Sequence, residues 1–201
     1  MREKISQYLT DIKESISTIS LDHFEQNCIK FNSRELPDAH LNRAELNKTP
    51  LHQRLDELFL NDKESPFIYW FELKNENKKK VILDAIKTYS ELAGNNVTVN
   101  SEKSDLKYYK TPAIKKIISD SNILYVGKVN RDFIGRLQPH LGFYVASTNT
   151  SGLQLRYWAK KLEIDIEIHY VKLPKILVGL TGQLERELAK ELKPIIGKHR
   201  S

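Results

Sequence analysis

The segments PFIYWFEL at 66–73 and NILYVGKV at 122–129 decide which fold this chain is expected to adopt. Both are rich in aromatic and β-branched residues and border polar or turn-forming stretches, so each is predicted to be a β-strand. Apolar residues recur at helical spacing between the two segments, at Val81, Ile82, Ala85, Ile86 and Tyr89. The chain is therefore expected to form a strand, a helix and then a second strand.

The remainder of the chain continues this mixture of helices and strands. Helices are predicted over 133–137 and 153–162, a third strand over 164–170, and a last helix over 182–193, which Pro194 ends. Internal repeats and low-complexity tracts are absent from the sequence. We therefore expect an α+β fold in which helices flank a small central β-sheet.

Composition narrows the class of protein. With 40% hydrophobic and 29% charged residues, the 201-residue chain has the balance of a folded protein. A single cysteine cannot form an internal disulfide or build a cysteine-based zinc site, which excludes disulfide scaffolds and zinc fingers, and it favours a reducing compartment. The sequence contains no apolar run of about 18 residues and no apolar signal-peptide core near its start. A cytoplasmic protein without a membrane span is expected.

The positive charge is unevenly distributed. Residues 1–60 carry 8 Lys and Arg against 10 Asp and Glu, whereas residues 61–201 carry 24 against 16. The net charge of +6 therefore belongs to the last two thirds of the chain. A basic region of this size favours a polyanionic partner such as nucleic acid.

The N-terminal 62 residues show helical apolar spacing. Helices are predicted over 5–19, 21–31 and 51–59. Cys28 lies on the apolar stripe of the second helix and is predicted to be a small core residue. We divide the chain into this helical region and a main domain over 63–201. The helical region is either an arm that contacts DNA or forms a dimer, or a layer packed on the main domain.

A series of polar residues follows the predicted strands and helices of the main domain. Its members, in chain order, are Tyr69, Tyr125, Lys128, Arg136, His140 and Glu185. Tyr125 and Lys128 belong to an LYVGK segment, Arg136 follows Tyr125 by eleven residues, and Glu185 opens an ExxL…KP ending. In order and spacing, residues 66–198 resemble the GIY-YIG nuclease superfamily.

The sequence departs from the family pattern in three places. Phe67 stands where the family name has glycine, and residues 74–119 form an insertion between the two tyrosine motifs. Gly197 stands where the family often has asparagine, and Lys198 and His199 are the alternatives to that side chain.

The resemblance implies a role for each residue of the series. Tyr69, beside Tyr125, would act as general base or orient the attacking water, and Lys128 and Arg136 would supply the positive charge that favours a phenolate. Arg136 would also bind the scissile phosphate with its planar guanidinium group. His140, four residues further along the same helix face, would orient a tyrosine or a water or assist proton transfer. Glu185 would hold one Mg²⁺ or Mn²⁺, which needs only one or two carboxylates.

A basic segment inside and after the insertion is the predicted DNA-binding surface. Between 103 and 136, eight Lys and Arg stand against three Asp. The residues assigned to DNA contact are Lys103, Lys107, Lys110, Lys115, Lys116 and Arg131. A solvated charged loop is the alternative. No role is assigned to the remaining histidines, His23, His40, His52 and His169, which lack partners at metal-ligand spacing.

These features together favour a metal-dependent DNA endonuclease of the restriction or defence kind. A non-catalytic DNA-binding module with the same fold and a structure-specific repair nuclease are the alternatives. One active site cuts one strand, so double-strand cleavage would require a homodimer or two successive nicks.

Overall fold

A four-stranded antiparallel sheet lies at the centre of the protein. The computed structural model describes residues 2–17, 27–37, 43–75, 79–95, 121–143 and 152–197. The strands are β1 (Cys28–Asn32), β2 (Phe67–Leu73), β3 (Ile123–Val129) and β4 (Asp165–Lys172). Their order across the sheet is β1-β4-β2-β3, and each neighbouring pair is antiparallel.

Helices flank the sheet and precede it. The α-helices of the described residues are α1 (Arg2–Ser17), α2 (Arg43–Leu46), α3 (Pro50–Phe59), α4 (Lys79–Asn95), α5 (Phe133–Leu141), α6 (Leu155–Trp158) and α7 (Thr181–Leu192). Short 3-10 helices cover Ser33–Glu35, Leu60–Asp62, Lys160–Leu162 and Lys175–Leu180. The predicted α+β class is confirmed. Within the described ranges, none of the helices has the length and apolarity needed to cross a membrane.

The strand β2 is buried on both faces because a core lies on each side of the sheet there. Its odd-numbered residues Phe67, Tyr69 and Phe71 face the larger core, which also contains apolar residues of α3, α4 and α5. Ile68 and Trp70 face a smaller core against α7. A central strand that is covered on both faces exposes neither set of alternating side chains to solvent, which explains the continuous apolar run in its sequence.

The chain after α7 returns to the sheet edge. Lys193 ends the helix with a left-handed backbone, and Pro194 follows. The N–H groups of Ile195 and Ile196 then donate to the carbonyl oxygens of Ile123 and Leu124, both at 2.9 Å. This return forms a parallel bridge at Tyr125 and fixes α7 beside β3.

The helix predicted over 21–31 is wrong where the structure describes it. Residues 28–32 form β1, which pairs with β4. Ile29 and Phe31 point into the larger core, whereas Cys28 is half-buried on the other face, so it is not the core residue that was predicted. The run is short enough for its apolar residues to satisfy helical and strand spacing equally. Residues before and after 62 therefore share one sheet and one core.

Candidate active site

Two tyrosine rings converge above the edge strand β3. Tyr69 of β2 lies directly opposite Gly127 of β3, and Tyr125 lies two residues before Gly127 on the same face. A Cβ atom at 127 would lie 2.7 Å from Cζ and Oη of Tyr69 and 2.6 Å from Cε1 of Tyr125. Glycine at this position therefore allows the buried Tyr69 ring to cross β3 and to bring its hydroxyl next to that of Tyr125.

We expect Gly127→Ala to destabilise the protein by about 1–3 kcal/mol, because the added methyl group overpacks the two rings. Urea unfolding followed by fluorescence measures the change. Gly179→Ala is the matched control, since a Cβ atom there has no neighbour within 4 Å. Equal stability of the two variants would contradict the close approach of the rings at Gly127.

The helix α5 positions Arg136 and His140 beneath the tyrosine rings. Its N-cap Asp132 has a left-handed backbone with φ 54°, and its carboxylate accepts a hydrogen bond from the Gly135 N–H at 3.0 Å. Arg136 and His140 lie one turn apart on the same helix face. The start of α5 is therefore fixed by the cap, and both side chains point toward the sheet.

Arg136 bridges the two tyrosine hydroxyls. Its Nε–H donates to Tyr69 Oη at 3.0 Å, and its Nη2 donates to Tyr125 Oη at 3.2 Å. Only a guanidinium group presents donors in this fixed, planar arrangement. The structure therefore places the charge of Arg136 beside both tyrosine hydroxyls.

His140 is fully buried and holds Tyr69 from a second direction. The backbone N–H of Leu153 donates to His140 Nδ1 at 3.2 Å, so Nδ1 is an acceptor and the proton of the neutral ring is on Nε2. His140 Nε2 lies 3.0 Å from Tyr69 Oη and therefore donates to it. Burial, and then the charge of Arg136, lower the pKa of His140 well below its usual value. Of the roles predicted for it, the geometry fits orientation of a tyrosine.

The hydroxyl of Tyr69 accepts two N–H groups, from Arg136 and His140. Its own proton must therefore point in a third direction, because both acceptor positions of the oxygen are occupied. Burial raises the pKa of Tyr69 above its usual value, and the charge of Arg136 only partly opposes this effect. Burial also raises the pKa of Tyr125. Both tyrosines are thus neutral at pH 7 in this structure.

Glu185 and Lys128 approach the tyrosines from the α7 side. Lys128 pairs with Ile68 and so faces α7, where its Nζ donates to Thr181 Oγ1 at 3.3 Å. Burial raises the pKa of Glu185, while the charges of Lys128 and Arg136 lower it. The charge of Glu185 in turn raises the pKa of both tyrosines. Lys128 therefore lowers the pKa of Glu185, and Arg136 supplies the positive charge beside the two tyrosine hydroxyls.

The donors around Glu185 fit a metal that takes a single protein carboxylate. Among the described residues, Glu185 belongs to no group of three or more His, Cys, Asp or Glu side chains. Mg²⁺ retains several waters and commonly uses one or two carboxylates together with substrate phosphate oxygens. The half-buried Glu185 carboxylate suits that mode, because no group of three or more protein ligands forms around it among the described residues.

The predicted DNA-binding residues are placed only in part. Arg131 is exposed in the turn between β3 and α5, next to the cap residue Asp132. The other residues assigned to DNA contact lie outside the described residues, at Lys103, Lys107, Lys110, Lys115 and Lys116. Lys198 and His199, the alternatives to the family asparagine, also lie outside the described residues. Gly197, which stands at the asparagine position, has φ 129°, a conformation that asparagine would rarely adopt.

Sequence reasoning missed several residues that build the site. Asp132 is a strong N-cap type placed just before an apolar helical run, which is a signal that predicts the start of α5. Thr181 and the backbone of Leu153 carry no comparable signal, because their roles depend on contacts with distant elements.

Comparison of the chain with protein-family models, with curated proteins and with solved structures found no match.

Proposed function

We propose that this protein is a metal-dependent DNA endonuclease of GIY-YIG type, a cytoplasmic enzyme of the restriction or defence kind. The observation that carries the proposal is the Arg136 guanidinium group, which bridges the hydroxyls of Tyr69 and Tyr125 at 3.0 and 3.2 Å. Glu185 interacts electrostatically with all three residues. Perturbed ionisable groups of this kind concentrate at functional sites.

Phosphodiester hydrolysis needs a base for the attacking water, a cation beside the phosphate oxygens and stabilisation of the leaving 3′ oxygen. Tyr69, Arg136 and a metal ion held by Glu185 would meet these three needs. Arg136 binds the non-bridging oxygens of the phosphate and stabilises the charge that develops on them. Tyr69 would serve as the base for the attacking water: after it loses its own proton to solvent, Arg136 Nε and His140 Nε2, which hold its oxygen, would stabilise the phenolate. The phenolate then takes the proton of the water as the new P–O bond forms.

Departure of the 3′ oxygen from the phosphorus depends on Glu185 and its neighbours. A divalent ion bound there would polarise the phosphate and lower the pKa of its coordinated water. Lys128 is positioned by Thr181 and keeps positive charge beside the Glu185 carboxylate. As the P–O3′ bond breaks, the 3′ oxygen takes a proton from solvent, and Tyr125 remains as a neutral donor beside the phosphate.

A DNA surface is the second component of the proposal. The exposed Arg131 precedes the helix that carries Arg136. A contact between Arg131 and a DNA phosphate would therefore place the DNA backbone beside Arg136 and the two tyrosines. The basic residues of 103–116 are proposed to extend this contact. A single site of this type cuts one strand, so double-strand breaks would require a homodimer or two nicks.

The test is a time course of supercoiled plasmid cleavage with Mg²⁺, with Mn²⁺ and with EDTA. We expect nicking that depends on the metal ion, and we expect Glu185→Gln to lower its rate about a hundredfold, since metal stabilisation of transition-state charge is worth several kcal/mol. Glu187→Gln is the matched control, because Glu187 is an exposed residue of the same helix paired with Lys190. It should cleave like the wild type.

Three results would each change this proposal in a different way. Folded wild-type protein that binds DNA without nicking it in either metal would be a non-catalytic DNA-binding module. Undiminished cleavage by Glu185→Gln would remove Glu185 from the site while leaving the enzyme class standing. Cleavage confined to branched or flapped DNA would replace the restriction or defence role with structure-specific repair.

A further inference from the structure

Three strands bring metal-binding side chains together on the sheet face opposite the tyrosines. Cys28 of β1 pairs directly with His169 of β4, and Glu167 lies two residues before His169 on the same face. One ligand atom from each of these three residues lies within 4.8 Å of the others. Glu72 of β2 pairs with Glu167, and its Oε2 lies beside the His169 ring. We refer to Cys28, Glu72, Glu167 and His169 as the sheet-face cluster.

The imidazole ring of His169 is held in place at the centre of this cluster. It stacks on the Trp70 ring with 4.9 Å between centroids and 6° between planes. His169 Nε2 lies 2.9 Å from Glu72 Oε2 and 3.2 Å from Glu167 Oε2. Two carboxylate oxygens thus lie beside one ring nitrogen, which a metal ion would bind in place of its proton.

Two lysines orient the carboxylates from outside. Lys74 Nζ lies 3.1 Å from Glu72 Oε1, and Lys30 Nζ lies 3.2 Å from Glu167 Oε1. Lys74 Nζ also lies 3.5 Å from Glu167 Oε2. The lysines bind the outer oxygens most closely, so Glu72 and Glu167 each direct Oε2 toward His169. Hydrogen bonds from such outer partners commonly fix the orientation of metal ligands.

We propose that the sheet-face cluster binds one Zn²⁺ ion per chain. Zinc accepts a mixed set of thiolate, imidazole and carboxylate ligands in tetrahedral geometry, and Cys28, His169 and Glu167 offer one sulfur, one nitrogen and one oxygen, with Glu72 or a water as the fourth ligand. Mg²⁺ prefers oxygen ligands and would select Glu185 instead. The ion ties the edge strand β1 to β4 and β2. This site does not depend on the proposed nuclease activity, because its residues occupy the opposite sheet face from Tyr69.

Sequence reasoning assigned His169 no role and excluded a cysteine-based zinc site because the chain has a single cysteine. The register between β1 and β4 changes this interpretation, because it pairs Cys28 with a histidine far away along the chain. The spacing of these residues along the sequence does not indicate such a site.

Cobalt is the probe that tests the proposal. The chain has one cysteine, so a thiolate-to-Co²⁺ charge-transfer band can arise only from Cys28. We expect reduced wild-type protein to develop this band and tetrahedral visible bands up to one equivalent of Co²⁺, and to lose both when Zn²⁺ is added. Cys28→Ser should lose the charge-transfer band, and Glu185→Gln should retain it.

His169→Gln and Glu167→Gln keep the thiol and test the remaining ligands. Each should weaken Co²⁺ binding at least about tenfold, with circular dichroism confirming that the variant is folded. Zn²⁺ should raise the melting temperature of the wild type and leave that of His169→Gln unchanged, because only a folded protein that binds the ion is stabilised by it. Absence of the charge-transfer band in folded wild type, or Co²⁺ binding by both glutamine variants as tight as that of the wild type, would overturn the proposal.

Discussion

Arg136→Lys is expected to lower the rate of DNA cleavage about a thousandfold. The guanidinium group reaches the hydroxyls of Tyr69 and Tyr125 from two different nitrogens. A lysine ammonium is a single point charge, so it cannot hold both hydroxyls and also bind a phosphate with two parallel hydrogen bonds. Single-turnover cleavage rates on plasmid DNA measure the loss.

Arg54→Lys provides the control for this substitution. Arg54 is an exposed residue of α3 whose guanidinium pairs with Glu35 at 2.8 Å. It should cleave at the wild-type rate and unfold at nearly the same urea concentration, because an exposed pair contributes little to stability. If Arg136→Lys kept a tenth of the wild-type rate while folded, phosphate binding by Arg136 would be wrong.

Tyr69→Phe should reduce cleavage by about a hundredfold to ten-thousandfold, the range that a general acid or base contributes. The substitution removes one oxygen and leaves the ring that packs over Gly127. Tyr125→Phe should have a smaller effect, because Tyr125 lacks the hydrogen bond from His140 that holds Tyr69. Rates for both variants, measured beside the wild type at one pH, separate the two tyrosines.

The pH dependence of cleavage identifies what Tyr69 does. Burial raises the pKa of Tyr69, so only a small fraction of Tyr69 is phenolate at neutral pH. As long as the pH stays below that pKa, this fraction increases about tenfold for each unit by which the pH rises. The wild-type rate should therefore climb through the alkaline range without a plateau near pH 7. Tyr69→Phe should lose this slope. A slope that survives in Tyr69→Phe would assign the titration to a metal-bound water.

Local patterns predicted the strands and helices that carry the site. The aromatic runs predicted β2 and β3, and apolar spacing with Pro194 predicted α7, which ends at Leu192. Strand alternation could also have predicted that Lys128 and Tyr125 face opposite sides, because odd and even residues of β3 alternate. The β1 strand was missed because a five-residue run is too short to show its period.

The chemistry of the site depended on contacts that sequence spacing does not encode. The tautomer of His140 is set by the backbone N–H of Leu153, which reaches it from a separate segment. The pKa of Tyr69 is raised because burial outweighs a guanidinium group that sequence reasoning expected to lower it. Both depend on how the elements pack, so only the identity of the residues was predictable.

The return of the chain to β3 after α7 limits how two copies can assemble. Ile195 and Ile196 occupy the outer backbone groups of Ile123 and Leu124, which would otherwise form an open edge beside Tyr125. An occupied edge cannot recruit a strand from another chain. Any homodimer of this protein would therefore have to form through a surface other than the backbone of these residues.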